Sequence, residues 1–186
     1  DPVRYWLHTN MLTVNGQKMS KSLGNSFLPR ELFTGNHEIL DEPYSPMTVK
    51  FFMLQSHYSS TLDFSNEALK AARKGYKRLI NGLRLVKEME FVADDGQPNE
   101  KAIQQIEKQV ELCHFAMNDD FNTALAIGQL MNLLKKINSL YTGTMQFGEI
   151  GEAVFGKMKK TYVDFVEDVL GLQEEDPAEL KAMIES

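Results

Sequence analysis

The sequence predicts a mainly α-helical protein, a small β/α segment followed by an antiparallel four-helix bundle. Three observations predict it. Residues 3–14 alternate in polarity and run into Asn15-Gly16, the strongest short turn signal there is. From Ser65 onward apolar residues recur at helical spacing. The connections between these helical runs are short, which favours antiparallel neighbours.

In the first segment, Val3, Tyr5, Leu7, Leu12 and Val14 read as short strands, with Trp6 beside Tyr5 as packing. Asn15 and Gly16 both tolerate positive φ, so the strand ending near Val14 should turn there and release Lys18–Ser22 as a loop. Leu23-Gly24-Asn25 ends that loop. Pro29 opens a short helix through Phe33, at the first-turn position proline tolerates, and Thr34-Gly35-Asn36 stops it. Residues 35–45 read as loop. Ser45-Pro46 is an N-cap and N1 pair for a helix to about His57, with Val49, Phe52 and Met53 as its stripe. Ser59-Ser60-Thr61 breaks it, and a domain boundary is placed near Asp63.

The first bundle helix is expected from Asn66 to about Phe91, burying Leu69, Ala72, Tyr76, Leu79/Ile80, Leu83 and Val86. Residues 94–98 form a turn. Asn99 caps the second helix, which runs to about Met117 with Ile103, Ile106, Val110, Cys113 and Met117 inside. Asn122 caps the third, with Phe121 as a hydrophobic staple and Leu130, Leu133/Leu134, Ile137 and Tyr141 inside. After a loop at 142–148, the fourth runs from about Gly151 to Leu170, burying Val154, Met158, Tyr162, Phe165 and Val169. Pro177 begins a last short helix. There is no internal repeat and no low-complexity segment.

At 186 residues the chain can bury a proper core as one domain or two small ones. No apolar run approaches the length that spans a bilayer, and the N-terminus carries no signal-peptide pattern. Cys113 is the single cysteine, so no internal disulfide is possible and a reducing cytosol fits. A net charge of −6 argues against a general nucleic-acid binder, but the charge is uneven. Residues 1–30 carry Arg4, Lys18, Lys21 and Arg30 against Asp1, while residues 145–186 carry ten acids against four lysines.

Chemistry concentrates in Lys18-Met19-Ser20-Lys21-Ser22. Two lysines and two serines sit in five residues, with Gly16 and Gly24 close on either side. Glycines let backbone approach a ligand, successive free N–H groups form an anion site, hydroxyls donate, and lysines add mobile positive charge. Such a loop can hold a polyphosphate and grip harder as charge grows on a leaving pyrophosphate. On composition alone, most short Lys/Ser/Gly loops only keep a turn soluble, and a Ser22 that merely caps the turn stays open beside one that donates to a ligand.

The run Lys18–Ser22 resembles the second signature of class I aminoacyl-tRNA synthetases. Tyr5-Trp6-Leu7-His8, Leu12-Thr13-Val14-Asn15-Gly16, Ser56-His57-Tyr58, Leu62-Asp63-Phe64-Ser65 and Asp119-Asp120-Phe121-Asn122-Thr123 resemble, in order and spacing, the cysteinyl-tRNA synthetases. The five-residue signature marks only the class; the flanking blocks narrow it to the cysteine family. The resemblance implies a C-terminal portion, a little under half of a full-length enzyme. Residues 1–63 would be the loop-bearing, stem-contact-like end of the catalytic region, and residues 64–186 the helical tRNA-binding bundle. It implies a cytoplasmic, monomeric parent that uses ATP with Mg2+, cysteine and tRNA(Cys), with no membrane partner. Lys18 and Lys21 would act in catalysis, and Lys18, Met19, Ser20, Lys21 and Ser22 would hold ATP. Zinc would be held upstream of Asp1 and not in this chain, which alone is expected to be inactive.

A second feature is basic. Lys70, Arg73, Lys74, Lys77, Arg84 and Lys87 recur at helical spacing on the first bundle helix, with Arg78 just to the side. They form a stripe about 120° round from the apolar face. A stripe of this kind can follow a phosphate backbone, and the family resemblance implies tRNA contact through Lys70, Arg73, Lys74, Lys77 and Arg84. A solvated helix face remains the competing reading. His8, His37, His57 and His114 make no metal spacing with Cys113, which reads as a buried, inert thiol. His57-Tyr58 reads as closing a helix, with an approach to the tRNA acceptor end as the competing reading, and Asp119-Asp120 reads as capping. Two other functions compete with tRNA charging: a related ligase joining cysteine to an amino sugar, and a non-catalytic tRNA- or protein-binding helical module.

Overall fold

The computed structural model describes residues 2–185. Strand β1 (Leu12–Val14) pairs antiparallel with β2 (Gln17–Lys18), placing Val14 opposite Gln17 and Thr13 opposite Lys18. Asn15 and Gly16 make the turn at φ +50° and +76°, the doubly left-handed geometry that a two-residue hairpin needs. On its other edge β1 pairs parallel with β3 (Leu62–Phe64), so the sheet order is β2-β1-β3. A parallel pair needs a long crossover. Here it carries helices α1 (Pro29–Thr34) and α2 (Pro46–Leu54).

The expected strands over residues 3–11 are absent. β3 begins opposite Leu12, and no strand among the described residues reaches further back. Tyr5, Trp6 and Leu7 are exposed rather than packed, and Trp6 stacks on His8 at 6.2 Å between ring centroids.

α1 stops at Gly35, whose φ is +70° and where a Cβ would lie 2.7 Å from Pro43 N. Only glycine satisfies both limits. α2 begins on its expected cap, Ser45 Oγ accepting from Thr48 N, but ends at Leu54 instead of His57. Its buried face is Thr48, Val49, Phe51 and Phe52, and Met53 points outward. Phe51 takes the inner place because it fits over Gly75 and against Tyr76 of α3 (Asn66–Glu88), where a Cβ on Gly75 would sit 2.7 Å from its ring. Phe64 of β3 receives Phe52 at 4.8 Å and the edge of Phe27 at 5.4 Å, and this aromatic cluster fixes the sheet to the crossover helices. The loop between α1 and α2 is held by Asn66, which donates to Ile39 O and accepts from Asp41 N.

The stripe expected on α3 is buried throughout, although the helix ends at Glu88, short of Phe91. Two compact units divide within it. One comprises residues up to Tyr76 and those from Glu175 on, including α7 (Pro177–Glu185); the other is Lys77–Glu174.

The second unit adds α4 (Glu100–Asn118), α5 (Thr123–Tyr141) and α6 (Gly151–Asp164). α4 and α5 share the broadest interface, and α6 packs on both. Ile106, Leu130, Leu133, Ile137, Met158 and Tyr162 are fully buried between them. Asn99 and Asn122 cap α4 and α5 as expected, accepting from Ala102 N and Leu125 N. Phe121 makes no staple. It and Asp120 adopt φ near +54° and +57°, which turns the ring outward while Asn122 N bonds Ala116 O. At the end of α5, Leu140 is buried and Tyr141 exposed. Both positions fit the stripe, but only the leucine can enter without desolvating a hydroxyl.

α6 does not continue regularly to Leu170. A wider π-type turn at Phe165–Val169 closes it, with Leu170 N bonding Phe165 O and Leu172 N bonding Val166 O. The extra residue shifts the register. Phe165, Val166 and Leu170 therefore face the core, while Val169 faces solvent. Among the described residues, no helix is long and apolar enough to cross a membrane.

Candidate functional site

Lys18–Ser22 leaves the hairpin as an exposed loop of defined shape. Lys18 is still paired to β1, and Met19 N donates weakly to Leu12 O at 3.4 Å. Ser20 is extended, at φ −155° and ψ 137°. Lys21–Leu23 then forms one tight turn, closed by Leu23 N to Ser20 O and Gly24 N to Lys21 O. Gly24 ends it at φ +67°. The hydroxyls of Ser20 and Ser22 meet at 2.7 Å.

Lys18, Lys21 and Ser22 are exposed; Met19 and Ser20 are half-buried. Neither lysine makes an ion pair or side-chain hydrogen bond among the described residues, so both ammonium groups are available to an anion. An open polar cleft of about 470 Å³ lies beside the end of the loop, lined by Gly24, Gly35, Asn36, His37 and Glu38.

Two side chains fix the roots of this loop, and the sequence singled out neither for that role. The buried amide of Asn25 accepts from Ser20 N at 2.8 Å and donates to Lys18 O at 3.1 Å. Asp63 on β3 accepts from Thr13 Oγ1 at 2.6 Å and from Gly16 N at 2.8 Å, which holds the hairpin turn. An asparagine after a glycine reads as loop chemistry, and Asp63 reaches the turn only through a pairing some fifty positions distant in sequence.

The basic stripe on α3 divides into paired and unpaired members. Lys70 bonds Asp41, and Arg73 makes a two-pronged contact with Glu42 at 2.7 and 3.0 Å. The Arg73 guanidinium bonding holds the Glu42 carboxyl below its usual range, and the same group lies over the Tyr44 ring at 5.8 Å. In the second unit, Arg84 pairs with Glu174 and Lys87 with Glu167. Lys74 and Lys77 are exposed and make no such pair among the described residues.

Cys113 is fully buried, and burial pushes its thiol up to about 12. Among the described residues, no group of three or more His, Cys, Asp or Glu side chains could hold a metal.

Residues 1–74 match the family model described as tRNA synthetases class I (C) catalytic domain, and residues 114–174 match the DALR domain. A cysteine–tRNA ligase of Cytophaga hutchinsonii is 48% identical over 175 residues, covering 94% of this chain and 35% of the relative. A cysteine–tRNA ligase of Bacteroides thetaiotaomicron is 42% identical over 175 residues, covering 94% and 34%. The chain thus spans about a third of the length of the curated relatives it matches. In fold it is similar to LeuRS of Agrobacterium radiobacter K84, solved in a ternary complex with tRNA and LeuAMS. The TM-score is 0.56 at 20% identity, covering 95% of this chain and 22% of that one. The two domain matches, in order along one sequence, and the identity to these ligases agree with the motif blocks around the Lys18–Ser22 loop: this chain belongs to the cysteinyl-tRNA synthetase family of the class I aminoacyl-tRNA synthetases.

Proposed function

We propose that the chain supplies the ATP- and pyrophosphate-stabilising loop, and part of the tRNA-binding surface, of a ligase that charges tRNA(Cys) with cysteine. The carrying observation is the Lys18–Ser22 loop, with two unpaired ammonium groups on a backbone held at both roots. In the first step a cysteine carboxylate oxygen attacks the α-phosphorus of ATP. The bond to the bridging oxygen breaks, and pyrophosphate leaves with the charge. Lys21, and Lys18 beside it, neutralise that growing charge, while Met19, Ser20 and Ser22 shape the loop around the phosphates. In the second step the terminal ribose hydroxyl of tRNA takes the cysteinyl group and AMP leaves.

In this reading residues 1–63 form the stem-contact-like end of the catalytic region, and residues 64–186 the helical tRNA-binding part. Mg2+ arrives with ATP as substrate. Zinc has no ligand set among the described residues. The ligase acts in the cytoplasm as a monomer. The test is Lys21→Ala in the intact ligase carrying this chain. Cysteine-dependent ATP–pyrophosphate exchange should slow by about 10²–10³-fold, the usual loss for one charge-stabilising donor. An unchanged exchange rate would remove the assignment.

A further inference from the structure

Among the described residues, Asn25 is one of few buried polar side chains, at 7% exposure, and it lies directly under the loop. Its amide is used at both ends: the oxygen faces Ser20 N and the nitrogen faces Lys18 O. Turning the amide over would set donor against donor and acceptor against acceptor, so only one orientation satisfies both groups. The two backbone atoms it joins flank Met19 and belong to the stretch that carries both lysines. Lys18 precedes the clasp; Lys21 begins the turn immediately after Ser20, whose extended backbone the clasp holds. Ser20 N would otherwise point into a half-buried space without a partner, a costly arrangement for a donor.

We infer that Asn25 is a positioning residue for adenylate formation: its amide sets the loop conformation in which Lys18 and Lys21 reach the phosphates. This rests on the loop function proposed above. Asn25 touches neither substrate nor reacting atoms. Its effect passes through the lysines, and displacement of a catalytic group by about an ångström costs up to about 10²-fold.

The experiment is a double-mutant cycle in the intact ligase, read by cysteine-dependent ATP–pyrophosphate exchange, with the thermal midpoint and the KM for cysteine measured alongside. Asn25→Ala should lower kcat roughly ten- to hundredfold with the cysteine KM unchanged. The Lys21→Ala/Asn25→Ala pair should be no slower than Lys21→Ala alone, because a positioning residue has nothing left to position. Asn25→Asp keeps the acceptor for Ser20 N but sets a carboxylate against Lys18 O, and should fall as far as alanine. Wild-type kcat in Asn25→Ala, or full additivity with Lys21→Ala, would overturn the inference. If Lys21→Ala itself leaves exchange unchanged, the loop function fails instead, so the two failures are told apart.

Discussion

Gly82 of α3 passes directly beneath Tyr162 of α6, so close that a Cβ on it would lie 2.7 Å from the phenolic oxygen. That oxygen is not free to move: the ring is fully buried, and its hydroxyl donates to Leu79 O at 3.1 Å. A Cβ there would also meet the Leu134 side chain of α5. Gly128 on α5 is the opposite case, helical and exposed, with nothing within 4 Å of the built Cβ. Alanine improves helix propensity by about 1 kcal/mol at either position. At Gly82 overpacking costs about 1–3 kcal/mol and wins. Urea unfolding should therefore show Gly82→Ala destabilised and Gly128→Ala stabilised. The same sign for both would mean that the α3–α6 contact is not the constraint.

Asp94 joins two loops of the second unit. Its carboxylate accepts from Gly148 N at 2.7 Å, Phe147 N at 2.8 Å and Gly96 N at 3.0 Å. Bonding to Gly148 N, with Gly96 and Phe147, holds its pKa below the usual carboxylate range. A folded-state pKa that is lowered adds stability above the unfolded value, about 3.9, and that stability is lost as pH falls through the folded value. At pH 7, Asp94→Asn should be less stable than wild type. The gap should begin to narrow as pH falls below about 4 and close only once pH has passed the lowered folded value, where both side chains are neutral. Paired thermal melts across pH 2–7 measure it, and a gap independent of pH would contradict the charge-assisted bonding.

Helix existence was legible because amphipathic spacing and caps are local. Asn99, Ser45 and Asn122 each cap the helix that the sequence assigned to them. What escaped depends on contacts between distant residues. β3 is three residues long and is a strand only because β1 lies beside it. Met53, Tyr141 and Val169 fit their stripes by period but lost their places to Phe51, Leu140 and Leu170. In those cases a facing glycine, a hydroxyl and a π-type turn decided. At the site, the lysines and serines could be named from the string. The residues that hold them could not, since Asn25 and Asp63 look like any loop polar residue until the hairpin is folded.

Cys113 illustrates a residue whose chemistry the core suppresses. Full burial removes access, and a thiol pushed up to about 12 has almost no thiolate at neutral pH. The native chain should resist alkylation by iodoacetamide at pH 8 and react fully in denaturant. Rapid labelling of native protein would show that the α4 face opens.

The proposed tRNA contact on α3 can be tested through its division into paired and unpaired cations. A lysine that neutralises a phosphate releases a condensed counterion, so its loss lowers the slope of log K against log salt by about 0.7–0.9. Lys74 and Lys77 have no acidic partner among the described residues and can give their full charge to a backbone. Arg73 must first leave Glu42 and the Tyr44 ring, so most of what it offers a phosphate is already committed. Lys74→Ala and Lys77→Ala, measured singly by tRNA titration over 50–200 mM salt in the intact ligase, should each weaken binding and lower the slope. Lys70→Ala, which removes a cation already bonded to Asp41, should lower it less. Equal slopes in wild type and both unpaired variants would make this face a solvated one and move the tRNA contact elsewhere.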